Sequence, residues 1–130
     1  MEVYFDGNKR VNARVNGFTI LTDQSVHSGG EGTAPEPFTL FLASLATCAG
    51  IYVKSFCDQR GLPGDDITLY QTLEYDQQKR MIGTIKLEIR VPEDFPEKYH
   101  DALITTASLC AVKKHLHPDV KFEARVVRAA

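Results

Sequence analysis

The sequence predicts a single α+β domain built on antiparallel sheet, and three observations predict it. Stretches of alternating polar and apolar residues lie at the start, in the middle and at the end of the chain; one long apolar segment with helical spacing follows the first; a second helical segment precedes the last. With 130 residues, 43 % of them hydrophobic, the chain has material for one core and is too short for two ordinary domains, so one domain over 1–130 is expected.

Residues 2 to 22 alternate around two turn signals, "DGN" at 6 to 8 and "NG" at 16 to 17. Asn-Gly accepts the positive φ that a tight turn needs, so strands near 2–6, 10–15 and 18–22 follow. "HSGGEGTAPEP", residues 27 to 37, is broken by glycine and proline up to Pro37, which suits a first helical turn. From Phe38 to Phe56 apolar side chains occupy nearly every side of the 3.6-residue period, which predicts a helix over 38–60, buried almost all round and stopped by "RGLPG". One sheet covers one face of such a helix. The other face needs another helix or another subunit, and a dimer with this helix at its centre is expected.

Residues 66 to 91 alternate again, with a polar centre "YDQQKRM" at 75 to 81 as the bend between two long strands. After "PEDFP", where Asp94 can cap and Pro96 can start a helix, residues 97 to 117 carry helical periodicity through Tyr99, Leu103, Ala107 and Leu116. "VKFEARVV", 120 to 127, makes a last strand.

Composition excludes several functions. A net charge of −2 with no cluster of Lys and Arg gives nothing to neutralise a phosphate backbone, so nucleic acid is not an expected partner. The apolar runs read as shorter than the roughly 20 residues that cross a bilayer, and "MEVYFDGNKR" is charged, unlike a signal peptide; a cytoplasmic protein without a membrane partner is expected. Cys110 with His115 and His117 matches no common zinc spacing, and "GGEG" lacks the offsets and the Lys-Ser/Thr ending of a phosphate-binding loop. No metal or cofactor is expected.

The three cysteines, Cys48, Cys57 and Cys110, form an odd set at long spacings, unlike a secreted disulfide framework. In a reducing compartment they are free thiols. Cys48 and Cys57 share the predicted helix at a distance of about 13 Å along its axis, beyond the ~7 Å between Cα atoms that a disulfide tolerates. If Cys48 has a redox partner, it is Cys110. Cys57 reads as a small apolar residue near a helix end. In "TTASLCAVKKHL" the hydroxyl residues Thr105, Thr106 and Ser108 weaken a continuous helix, and Ser108 could cap a new one with Cys110 in its first turn, where unpaired N–H groups favour thiolate. On composition alone both Cys48 and Cys110 read more readily as buried filler than as reactive thiols.

"GGEGTAPEPFTLFLASLATC" followed by "SLCAVKKHL" resembles the OsmC/Ohr family of organic and osmotically induced hydroperoxide reductases, and the order of elements agrees over nearly the whole chain. The resemblance implies an OsmC-like fold, with antiparallel sheets around two central helices in an intertwined homodimer. It places the peroxidatic cysteine on Cys48 and the resolving cysteine on Cys110. It also implies an organic hydroperoxide as substrate and an external thiol as reductant. In the family an Asn-Pro-Glu entry supplies a glutamate that orients an arginine onto the thiolate. Here that position is Phe38, with Glu36 nearby before Pro37, while Arg10 or Arg14 could supply the arginine and Ala111 replaces the proline of the usual Cys-Pro. Without the Glu–Arg pair Cys48 is expected to lose charge stabilisation in an apolar site that raises its pKa.

Two functions from different classes follow: a thiol peroxidase, favoured by both cysteines, and a non-catalytic dimer of the same fold binding an apolar small molecule in the interface pocket, favoured by Phe38.

Overall fold

In the first part of the chain the alternating residues form three short antiparallel strands, β1 (Glu2–Phe5), β2 (Val11–Val15) and β3 (Phe18–Ile20), in the order β1-β2-β3. The computed structural model describes residues 1–129 and divides them into two compact units, one through Ala43 and one from Ser44 onward. Asn16 and Gly17 both take positive φ, 51° and 80°, and set Val15 opposite Phe18, as the Asn-Gly signal predicts.

The loop that follows is organised by one carboxylate. Asp23 is fully buried and accepts hydrogen bonds from the N–H groups of Gln24 (2.8 Å), Thr33 (3.0 Å) and Glu31 (3.3 Å) and from the Thr33 hydroxyl (2.7 Å). These donors, Thr33 foremost, lower its pKa from 3.8 to about 2. Gly30 completes the wrap, because a Cβ there would lie 2.1 Å from the Gln24 carbonyl oxygen. A carboxyl with a depressed folded pKa stabilises the fold above its unfolded value of 3.8, and that contribution fades as pH falls toward 2. Asp23→Asn should therefore be less stable than the parent at neutral pH and lose less on acidification. Thermal melts across that range check this, and parallel acid profiles for both proteins would contradict it.

Helix α1 (Pro37–Asp58) opens as expected, with proline in the first turn and the Glu36 carbonyl accepting the Leu40 N–H at 3.3 Å. It ends where glycine allows a reversal: Gly61 has φ 63°, and the Leu62 N–H reaches the Cys57 carbonyl at 3.0 Å. Burial all round is not what the chain achieves. Leu45, Ala49, Val53, Phe56 and Cys57 form one buried stripe, whereas Phe38, Phe41 and Ile51 are 55 %, 41 % and 59 % exposed. A second expectation also changes. α1 is long and apolar enough to cross a membrane by length and composition, because its serines, threonines and glycine interrupt the apolar residues without charge and only Lys54 and Asp58 are ionic.

In the second unit β4 (Thr68–Asp76) and β5 (Met81–Val91) form the long hairpin, and β6 (Lys121–Arg128) lies on the far side of β5 in the order β4-β5-β6. The β5–β6 pairing is parallel, so this sheet is mixed where wholly antiparallel pairing was expected. Alternation within a strand carries no sign of direction. The helical connection between β5 and β6 does, since parallel neighbours need such a crossover. Leu87, Ile89 and Val91 of β5 meet Ala49, Val53 and Phe56 of α1, with Leu103 and Ala107 closing the core.

The second helix is much shorter than its periodicity suggests. A 3-10 turn at Glu97–Tyr99, entered from Pro96 with no side-chain cap, leads into α2 (His100–Ala107), and the next helical turn is the 3-10 segment Lys113–His115. The Thr105 hydroxyl donates to the Asp101 carbonyl at 3.0 Å and the Ser108 hydroxyl to Ile104 at 2.9 Å. Ser108 thus closes α2 and does not open a new helix.

Candidate active site

The break after α2 brings Cys110 to Cys48. The Cys110 side chain is wholly buried and lies against α1, its sulfur 3.8 Å from the Leu45 carbonyl oxygen, one turn before Cys48. Its thiol also acts on the Cys48 sulfur and favours the Cys48 thiolate. From the other side its sulfur accepts the Lys113 N–H at 3.4 Å and its carbonyl accepts the Lys114 N–H at 3.4 Å, two residues ahead of Val112, the N-cap of the Lys113–His115 turn. The expected position in the first turn of a new helix is corrected: Cys110 lies ahead of that turn's N-cap.

The residues that follow Cys110 turn their peptide N–H groups toward Cys48. The N–H of Val112, the Cys110 thiol and the N–H of Ala111 hydrogen-bond the Cys48 sulfur, and together they lower its pKa below that of an ordinary thiol although burial acts against them. This reverses the expectation of a raised pKa, because peptide dipoles supply the stabilisation assigned to an ion pair. Cys110 shifts the other way. Burial raises its pKa, and its hydrogen bond to Cys48 favours the protonated form. The two sulfurs are therefore pushed in opposite directions, the partly exposed Cys48 toward the thiolate and the buried Cys110 toward the thiol. Cys57, buried on the same helix nine residues from Cys48, has its pKa raised by desolvation first and the Asp58 charge second.

Arg10 and Glu36 belong to the first unit and are engaged there. The Arg10 guanidinium pairs with Glu31 and donates to the Asp6 carbonyl at 2.8 Å. Glu36 accepts the Ser25 N–H at 3.0 Å, pinning the loop at the helix entry. Glu31, out of "GGEG", is thus the close acidic partner of Arg10, with the Asp6 carboxylate at 3.9 Å. Arg14 pairs with Glu2 at 3.2 Å and covers the Tyr4 ring at 4.1 Å. Where the resemblance places a glutamate, Phe38 stacks on Phe41 with ring centroids 5.8 Å apart.

Sequence reasoning missed the backbone donors to Cys48, of which Val112 has the largest effect. Ala111 and Val112 act through the backbone, which residue identity does not advertise. One signal was present, since alanine where the related motif carries proline keeps an N–H that proline lacks. His115 and His117 also turn to the backbone, Nδ1 of His115 lying 2.8 Å from the Ala111 carbonyl and Nδ1 of His117 accepting the Asp119 N–H at 3.2 Å.

The family model described as OsmC-like protein matches residues 30–125. No curated protein matches the sequence. Among solved structures, a Psychrobacter arcticus 273-4 protein named for osmotic stress induction and a detoxification response is 23 % identical with a TM-score of 0.82, covering 97 % of this chain and 93 % of that one. The organic hydroperoxide resistance protein OsmC of Legionella pneumophila is 17 % identical with a TM-score of 0.67, over 96 % of this chain and 93 % of that one. The organic hydroperoxide resistance protein OhrB of Bacillus subtilis is 16 % identical with a TM-score of 0.62, over 97 % and 96 % of the two chains. At these identities the likeness is one of fold.

Proposed function

The chain belongs to the OsmC-like protein family, and from that premise we propose that it is a thiol peroxidase that reduces organic hydroperoxides. One observation carries the reading: a buried thiol, Cys110, and two peptide N–H groups converge on the sulfur of Cys48 and favour its thiolate. The Cys48 thiolate attacks the terminal oxygen of ROOH, the O–O bond breaks, and Cys48–SOH forms as the alkoxide takes a proton and leaves as ROH. The Cys110 sulfur then attacks the sulfenic sulfur, expelling water and closing a Cys48–Cys110 disulfide. An external thiol reductant reduces that disulfide by exchange and is itself oxidised to a disulfide.

The protein works in this reading as a single-domain homodimer in the cytoplasm. The apolar side chains of α1 left exposed in one chain, Phe38, Phe41 and Ile51, support a second copy as their cover. Arg10, held by Glu31, and Glu36, at the mouth of α1, are retained as candidates for supporting the thiolate.

The exposed, stacked Phe38–Phe41 pair favours one competing reading, a dimer that binds an apolar small molecule without chemistry. Exposure to one equivalent of an organic hydroperoxide separates the two. The peroxidase loses two of its three free thiols, and peptide mapping without reductant recovers Cys48 linked to Cys110 with Cys57 unmodified. The binder loses none. A Cys48–Cys57 peptide would contradict the peroxidase as described, because α1 holds those residues on one continuous helix.

A further inference from the structure

The segment between α2 and β6 contains one side chain that ties its parts together. Lys113 is partly buried, and its ammonium lies 3.3 Å from the Ser108 carbonyl oxygen, at the closed end of α2. The same ammonium sits 4.8 Å from the centre of the Phe122 ring on β6. Its backbone N–H is the group that holds the Cys110 sulfur. Ala111 and Val112, whose N–H groups meet the Cys48 sulfur, lie between these anchor points. Peptide groups in a short turn with one α-helical neighbour and one strand neighbour keep a fixed aim only if the turn is held at both ends.

We propose that Lys113 is a positioning residue for the thiolate site: by bridging the Ser108 carbonyl and the Phe122 ring it fixes the 108–113 turn so that the Ala111 and Val112 N–H groups stay aimed at the Cys48 sulfur. The proposal deepens the reading of Cys48 as the attacking thiol and rests on it. Serine, alanine and valine side chains in that turn have no reach to anchor it, and an ammonium against a carbonyl and an aromatic face supplies charge-assisted contacts on both sides. The titratable group against Cys48 is Cys110. Lys114 and His115 flank Lys113 on its own turn, and Lys121 and Glu123 flank Phe122 on β6.

The test reads the thiolate itself. In the full-length reduced protein, alkylation of Cys48 by iodoacetamide is followed by peptide mass spectrometry as a function of pH. Lys113→Met should move the midpoint upward and slow alkylation at neutral pH by roughly 3- to 10-fold, with Lys113→Arg restoring most of the loss. Phe122→Leu, which keeps an apolar side chain in the sheet, should shift the midpoint in the same direction by less, and the double variant should go no further than Lys113→Met alone. Ala111→Pro removes one donor without touching Lys113 and should raise the midpoint as well. A parental midpoint in both folded Lys113→Met and Phe122→Leu overturns the proposal. Alkylation needs no peroxide, so a protein that shows these shifts but consumes no hydroperoxide would defeat the peroxidase reading and leave the positioning role standing.

Discussion

Cys48→Ser should lower organic hydroperoxide consumption roughly a thousand-fold or more, whereas Cys110→Ser should spare the first oxidation and stop the turnover. The asymmetry follows from where each sulfur sits. Cys48 is partly exposed and receives three hydrogen bonds that favour its anion, so it meets the peroxide; Cys110 is wholly buried with a raised pKa, so it waits as a thiol. A serine at 110 still offers a hydroxyl to Cys48 but cannot form the disulfide. Stopped-flow oxidation separates a first phase, present in Cys110→Ser, from steady-state turnover, which is lost. The pH dependence has a definite sign. A thiol with lowered pKa keeps its reactive form to lower pH, so the first-phase rate should persist below the ~8.5 at which an ordinary cysteine ionises. A Cys48→Ser protein that consumes hydroperoxide at the parental rate would leave the ligand-binding dimer as the better account.

What the sequence revealed about this site and what it concealed have a common physical origin. Alternation, helical spacing and turn chemistry are local, and they correctly located the Asn16-Gly17 hairpin, the entry of α1 at Pro37 and the bend after Asp76. The direction of β6 is not local, because its polar and apolar residues alternate alike in either orientation. The extent of α2 was misread for a related reason. Tyr99, Leu103, Ala107 and Leu116 share a helical period, yet Leu116 follows a separate turn at Lys113–His115, and the Ser108 hydroxyl holds the Ile104 carbonyl where α2 ends. Resemblance singled out the two cysteines as the candidate pair. It did not reveal the means of stabilising the thiolate, because motif comparison looks for a side chain such as the glutamate absent at Phe38 and cannot register peptide N–H groups at Ala111 and Val112. Arg10 pairs with Glu31, a residue the motif comparison did not single out.

The second large effect concerns α1, and two aspartates on it should behave differently. Leu45→Asp should abolish the cooperative unfolding transition, since Leu45 is fully buried. Losing the side chain costs about 2–5 kcal/mol, and an unpaired buried carboxylate adds several more, against a total stability of roughly 5–15 kcal/mol. Ile51→Asp lies on the opposite account: Ile51 is 59 % exposed in the single chain, so within that chain a carboxylate there stays hydrated and is tolerated. If a second copy covers this side of the helix, the same carboxylate is desolvated in the assembly, and the variant should dissociate at concentrations where the parent is dimeric. Sedimentation velocity with circular dichroism reads both outcomes at once. A folded Leu45→Asp protein would mean that the stripe from Leu45 to Cys57 is not the core of the second unit, and an Ile51→Asp protein that sediments as the parental dimer would mean that the exposed apolar side of α1 is not where the two copies meet.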